Sequence, residues 1–121
     1  MVTELKTLNE FKTAIASEEL VIIDFYAQWC GPCKQIAPKF EELAKKNQTI
    51  GFYKIDADNN SLQKVCNLCA ISKLPTFCFF LRGEYVTKHT GADMDALIKL
   101  IVQYTPRNQS NITKENLIEN L

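Results

Sequence analysis

Leu20-Val21-Ile22-Ile23-Asp24-Phe25-Tyr26-Ala27-Gln28-Trp29-Cys30-Gly31-Pro32-Cys33-Lys34 is the stretch on which the reading of this 121-residue chain turns. Its first seven residues are too continuously apolar for a half-exposed strand. They read as a strand buried on both faces, as in a parallel sheet. After Lys34 comes a helix-like segment, Gln35 to Asn47. A dithiol therefore sits where a strand hands over to a helix. Two cysteines three apart can close a small disulfide ring if the turn holds their sulfurs together. A helix N-terminus carries unpaired backbone N–H groups and about half a positive charge. A thiolate there is favoured over the thiol, so its pKa falls below the free value of about 8.5. Cys30 is the expected nucleophile. Cys33, one turn in, is expected to be the more shielded, resolving thiol.

Working outward, Thr3-Glu4-Leu5 reads as a short edge strand. Thr7-Leu8-Asn9-Glu10 fits a capping box that opens a helix to about Ser17, with Leu8, Phe11, Ala14 and Ile15 on its apolar face. The helix after the dithiol buries Ile36, Phe40, Leu43 and Ala44, and Pro38 must bend it. Thr49 to Asp56 is a second core strand. Asn59 to Cys69 is a shorter helix with Leu62, Val65, Cys66 and Cys69 inward. Thr76 to Leu81 and Tyr85 to Thr90 form a hairpin around Arg82-Gly83-Glu84. Asp93 to Tyr104 is the last helix, burying Met94, Leu97, Ile98, Ile101 and Val102. Early strand–helix alternation gives parallel strands, and the late hairpin adds antiparallel ones. The expectation is an α/β domain over residues 1–105. A polar linker and tail follow over 106–121, with Thr113 placed to cap a short helix carrying Leu117, Ile118 and Leu121.

Composition narrows the function classes. The chain is 46% apolar, enough for one packed core, and its 14 basic and 14 acidic residues balance. With no basic stripe, nucleic acid is not an expected partner. No apolar run reaches the ~20 residues that cross a bilayer. Met1 to Lys6 lacks the apolar core of a signal peptide, so a reducing compartment, the cytoplasm, is expected. Five cysteines, an odd number, then favour redox or metal chemistry over a disulfide framework.

Phe25-Tyr26-Ala27-Gln28-Trp29-Cys30-Gly31-Pro32-Cys33-Lys34 resembles the active-site signature of the thioredoxin family. The likeness continues through Pro38, Lys54-Ile55-Asp56-Ala57-Asp58, Leu74-Pro75-Thr76-Phe77, Gly83 and Gly91-Ala92. It covers roughly residues 3 to 105 in family order and leaves the tail out. It implies the thioredoxin fold, a central mixed five-stranded sheet flanked by four helices. It also implies a protein-disulfide reductase working through a Cys30–Cys33 disulfide, with no bound cofactor and a role in cell redox homeostasis. Electrons would come from NADPH through a thioredoxin reductase. Clients would resemble ribonucleotide reductase, peroxiredoxins and oxidised-methionine repair enzymes. The Gly31-Pro32 pair resembles reductants of the family rather than its isomerases. Lys54 resembles the buried lysine that tunes the family's aspartate. Pro75 resembles its cis-proline facing the disulfide, which leaves the Leu74 backbone free to pair with an extended substrate. Trp29, Gly31, Pro32, Ile71, Leu74, Pro75, Gly91 and Ala92 would form the contact surface. Pro38 would set the active-site turn apart from the rest of its helix. Tyr26 departs from the common tryptophan.

Each of these residues also has a plainer reading. Cys30 and Cys33 could be half of a zinc site, because Cys66-Asn67-Leu68-Cys69 is a second Cys-x-x-Cys. The gap between the pairs, residues 34–65, exceeds the about 15–20 residues of the common ribbon spacing. Asp24, costly to bury as an anion, is either a core aspartate tied up by a lysine or a proton acceptor beneath the disulfide. Lys54 is otherwise a surface lysine. Cys66 and Cys69 read as inert buried thiols or as a regulatory pair, although cysteines within a helix diverge too far for an easy disulfide. Cys78 reads as core packing, and His89, the one histidine, as a plain strand residue. A zinc module and a binding module that works by contact, with the tail as docking element, stand as the alternatives.

Overall fold

The computed structural model describes residues 1–106. The expected linker and tail, residues 106–121, lie outside the described residues save for Pro106.

Five strands form one sheet in the order β1-β3-β2-β4-β5. They are β1 (Thr3–Glu4), β2 (Leu20–Tyr26), β3 (Gly51–Asp56), β4 (Thr76–Leu81) and β5 (Glu84–Thr90). The first three run parallel, and β4 and β5 run antiparallel to their neighbours. Among the described residues four helices flank the sheet: α1 (Leu8–Ile15), α2 (Gly31–Lys46), α3 (Gln63–Leu68) and α4 (Met94–Tyr104). This is the mixed sheet with four helices that the sequence implies. β2 lies at the centre because it has no solvent face. Leu20, Ile22, Val21, Ile23 and Phe25 are all buried, the even positions towards one layer of helices and the odd ones towards the other.

Two cores result. On one face Ile22, Phe52, Phe77 and Phe79 meet Ile36, Phe40 and Leu43 of α2 and Leu97, Ile98 and Ile101 of α4. Phe40 packs edge-on to Phe52, with ring centroids 5.2 Å apart. On the other face Val21, Ile23, Phe25 and Ile55 meet Phe11 of α1 and Leu62, Val65, Cys66 and Cys69. Burying one such side chain contributes about 1.5–3 kcal/mol, so the sheet is clamped from both sides.

The helix ends follow from their caps. The Glu10 N–H donates to Thr7 Oγ1, the first half of a capping box, and Glu10 Oε1 reaches back one residue further, to the Lys6 N–H rather than that of Thr7. Asp93, read as the first residue of the last helix, is its cap and accepts from the Ala96 N–H. The expected single helix from Asn59 to Cys69 is divided. Asn59 accepts from the Ser61 N–H and starts a 3-10 turn, Asn60–Leu62, before α3 begins at Gln63. β3 starts at Gly51 rather than Thr49, because the Ile50 N–H is drawn into a turn on the Asn47 carbonyl.

Candidate active site

β2 ends at Tyr26, and four residues later Cys30 caps α2 from extended backbone, φ −84° and ψ 109°. The turn is held by the Cys30 N–H on the Ala27 carbonyl, 3.2 Å, and the Lys34 N–H on the Cys30 carbonyl, 3.2 Å. The cap is the cysteine sulfur itself: Cys30 Sγ accepts from the Cys33 N–H at 3.2 Å. Pro32 fits the first turn, where its missing N–H would have had no helical partner. That turn contains no acidic residue to offset the positive end of the helix dipole. Cys30 and Cys33 form a disulfide, with Cα atoms 5.3 Å apart. The expected difference in shielding does not extend to exposure. Cys30 is 4% and Cys33 3% exposed, since both sulfurs share one site beneath the turn, packed with Ala27, Tyr26 and Leu74.

Beneath Cys33 lies a cavity of about 140 Å³, lined among others by Asp24, Tyr26, Lys54 and Lys34. Asp24 is 4% exposed, and its Oδ1 has no hydrogen-bond partner. Burial pushes its carboxyl up to about 7, and the Lys54 ammonium pulls it down by less. Lys54 is opposite Asp24 in the register of β2 and β3. Its ammonium lies 5.6 Å from the centroid of the Tyr26 ring. A carboxyl that titrates near neutrality in a cavity against a cysteine can hold or release a proton there.

Around the disulfide, Trp29, Ile71 and Leu74 line one surface groove. Trp29 is 71% exposed, so it is a surface residue and not core. Its indole N–H is anchored on Asp58 Oδ2 at 3.0 Å. The Leu74–Pro75 bond is cis. The Pro75 carbonyl accepts from the Gly91 N–H at 2.8 Å, which ties the glycine loop to the proline loop. Gly31, Pro32 and Ala92 are exposed beside these residues. Asp58 entered the sequence reading only through the resemblance, because its contact with Trp29 is remote in sequence and has no local signal.

The second Cys-x-x-Cys does not join this site. α2 packs on one face of the sheet, and α3, with Cys66 and Cys69, on the other. Among the described residues no group of three or more metal-ligating side chains is gathered, and the zinc reading finds no support. Cys66, Cys69 and Cys78 are free and buried. Cys69 interacts with both Cys78 and Cys66, and Cys78 Sγ donates to Tyr85 Oη at 3.7 Å. His89 lies opposite Phe77 on β5, as a strand residue should. No helix among the described residues is long and apolar enough to cross a membrane.

Comparison with known proteins agrees with this geometry. The family model described as thioredoxin matches residues 2–103. A thioredoxin-like protein of Acanthamoeba polyphaga mimivirus is 49% identical over 84% of this chain and 76% of its own. Thioredoxin-1 of Saccharomyces cerevisiae is 44% identical, covering 84% of this chain and 96% of its own. Among solved structures, a Plasmodium falciparum thioredoxin superposes with a TM-score of 0.79 at 39% identity, over 86% of this chain and all (100%) of that one.

Proposed function

The chain belongs to the thioredoxin family and is a protein-disulfide oxidoreductase, and from that premise we propose how its residues divide the reaction and which way it runs. The Cys30 thiolate attacks one sulfur of a client disulfide. A mixed disulfide forms, and the client's other sulfur leaves as a thiolate and takes a proton. Asp24, as carboxylate, accepts the proton of Cys33 across the cavity. The Cys33 thiolate then attacks Cys30 Sγ, releases the second client thiolate and closes the Cys30–Cys33 disulfide. Two electrons pass to the client, and the two cysteines are the whole redox centre; thioredoxins carry no bound cofactor. Lys54 tempers the charge on Asp24. Trp29, Gly31, Pro32, Ile71, Leu74, Pro75, Gly91 and Ala92 receive the client, with the Leu74 backbone pairing as an added strand.

The observation that carries this reading is Cys30 capping α2 with its own sulfur, in a first helical turn free of acids. A thiolate replaces the thiol at low cost there. The family implies a reductase and disulfide clients. The finer expectation is a reductase drawing on NADPH, clients such as peroxiredoxins or ribonucleotide reductase, and a cytoplasmic setting. The direction is reducing: in a glutathione buffer poised near the isomerase value of about −180 mV the pair should stand oxidised. A pair found mostly reduced at that poise would refute it. The test of the division of labour is insulin reduction. Cys30→Ser should abolish turnover, and Cys33→Ser should accumulate a mixed disulfide on Cys30. Turnover that persists in Cys30→Ser would overturn the assignment.

A further inference from the structure

Three strands place one base between two acids. Glu4 of β1 is opposite Lys54 of β3, and Lys54 is opposite Asp24 of β2. Opposed residues put their side chains on one face of a sheet, with Cβ atoms about 5 Å apart. The row continues through Phe77 to His89, and the fully buried Phe77 ring stands between Asp24 and the histidine. Tyr26 is two residues beyond Asp24 and shares its face. Its phenol is within reach of the Glu4 carboxylate across β3, while its ring lies against the Lys54 ammonium. Glu4 is thereby tethered on the far side of the lysine. Among the described residues no ion pair within 4.0 Å joins Lys54 to either carboxylate.

We propose that Glu4 is a positioning residue for the exchange reaction: tethered by Tyr26, it competes with Asp24 for the Lys54 ammonium and so sets how readily Asp24 takes the Cys33 proton. This rests on Asp24 being the proton acceptor. Two strand spacings, about 10 Å, separate Glu4 from Asp24. Lys54 stands between the two acids and is the charge that acts on Asp24, so the lysine is the lever. The other ionisable groups around Asp24 are Lys34 and Cys33 from α2 and Asp56, opposite Tyr26. β4 presents only Phe77. None of these changes when Glu4 loses its charge. Lys54 is then free to settle on Asp24, which favours the carboxylate.

The test uses the full chain, with the Asp24 carboxyl followed by carbon-13 NMR and the pH–rate profile of insulin reduction measured alongside. Glu4→Gln keeps the shape and can still accept from Tyr26. It should move the Asp24 titration and the matching limb of the rate profile down by about half a pH unit. Tyr26→Phe keeps the ring, removes the tether and should shift both in the same direction; it carries the test should Glu4→Gln fold poorly. In a Lys54→Met background Glu4→Gln should move nothing. An unmoved titration in Glu4→Gln, or an equal shift with and without Lys54, would overturn the proposal. Resolution as fast in Asp24→Asn as in the parent would instead defeat the proton-acceptor role on which it rests, whatever Glu4 does to the titration.

Discussion

Asp24 shows what one buried carboxyl does to the rest of the molecule. In the unfolded chain it titrates near the ordinary 3.8, and in the fold burial holds it near 7. The folded form binds the proton more tightly. Its contribution is therefore fully present below the unfolded value and is lost as pH rises through 7. Above that range a shift of this size costs up to about 4 kcal/mol, at about 1.4 kcal/mol per unit. Asp24→Asn removes the titration while keeping the shape. Urea unfolding should find the variant more stable than the parent at pH 8 by up to about 4 kcal/mol, with the gap closing towards pH 4. A variant that is weaker at pH 8 would contradict the burial argument. The residue is retained at a thermodynamic loss, which is the pattern expected where chemistry rather than packing selects a side chain.

Among the elements, the β4–β5 hairpin carries a smaller loss. Leu81 pairs with Glu84, so the loop is Arg82-Gly83, and both residues have positive φ, 51° and 82°. This is the two-residue turn whose twist suits a hairpin, and it favours asparagine at the first position. Arginine there is strained, and its contact with Glu18 is worth little because Glu18 is 89% exposed. Arg82→Asn should stabilise the protein by about 0.5–1 kcal/mol, or roughly 2–6 °C in the melting temperature. An unchanged or lower midpoint in calorimetry would refute the strain at Arg82. The glycine and the flanking apolar alternation made this hairpin readable from sequence, as the long apolar run did β2 and the proline β4. The 3-10 turn before α3 was not readable, because Leu62 and Val65, three residues apart, share a face at either helical pitch and periodicity does not separate the two. The same limit applies within the site. Cys30, Cys33 and Asp24 were legible because strand, turn and helix are adjacent in the chain. The Glu4–Tyr26 tether and the Cys69–Cys78 contact depend on register between strands or on packing across the core, which local pattern does not encode.

Over the whole molecule the sheet sorts five thiols into two environments, and exposure is not what separates Cys30 from Cys66. Cys66 is 7% exposed, more than Cys30 at 4%. By access alone the two should react alike. Thiolate character decides otherwise. Cys30 faces the positive end of α2 and receives an N–H bond at its sulfur. Burial pushes the Cys66 thiol up, and the Cys69 thiol is pushed up by its hydrogen bond to Cys78 and by burial. Cys78 differs: its hydrogen bond to Cys69 pulls its thiol down despite burial, and what shields it is its complete enclosure in the core. Alkylation goes through the thiolate, so a brief iodoacetamide pulse on reduced protein at pH 7 should label Cys30 first. Cys66, Cys69 and Cys78 should label only when denaturant opens the core, and mass spectrometry would locate each adduct. Labelling of Cys66 or Cys69 as fast as Cys30 in the native state would mean that access governs reactivity between them. The helix terminus would then lose its claim to be what makes Cys30 the nucleophile. Because the two Cys-x-x-Cys pairs lie on opposite sides of the sheet, the same reduced protein should hold no stoichiometric zinc, since four thiolates cannot converge on one ion without unfolding β2.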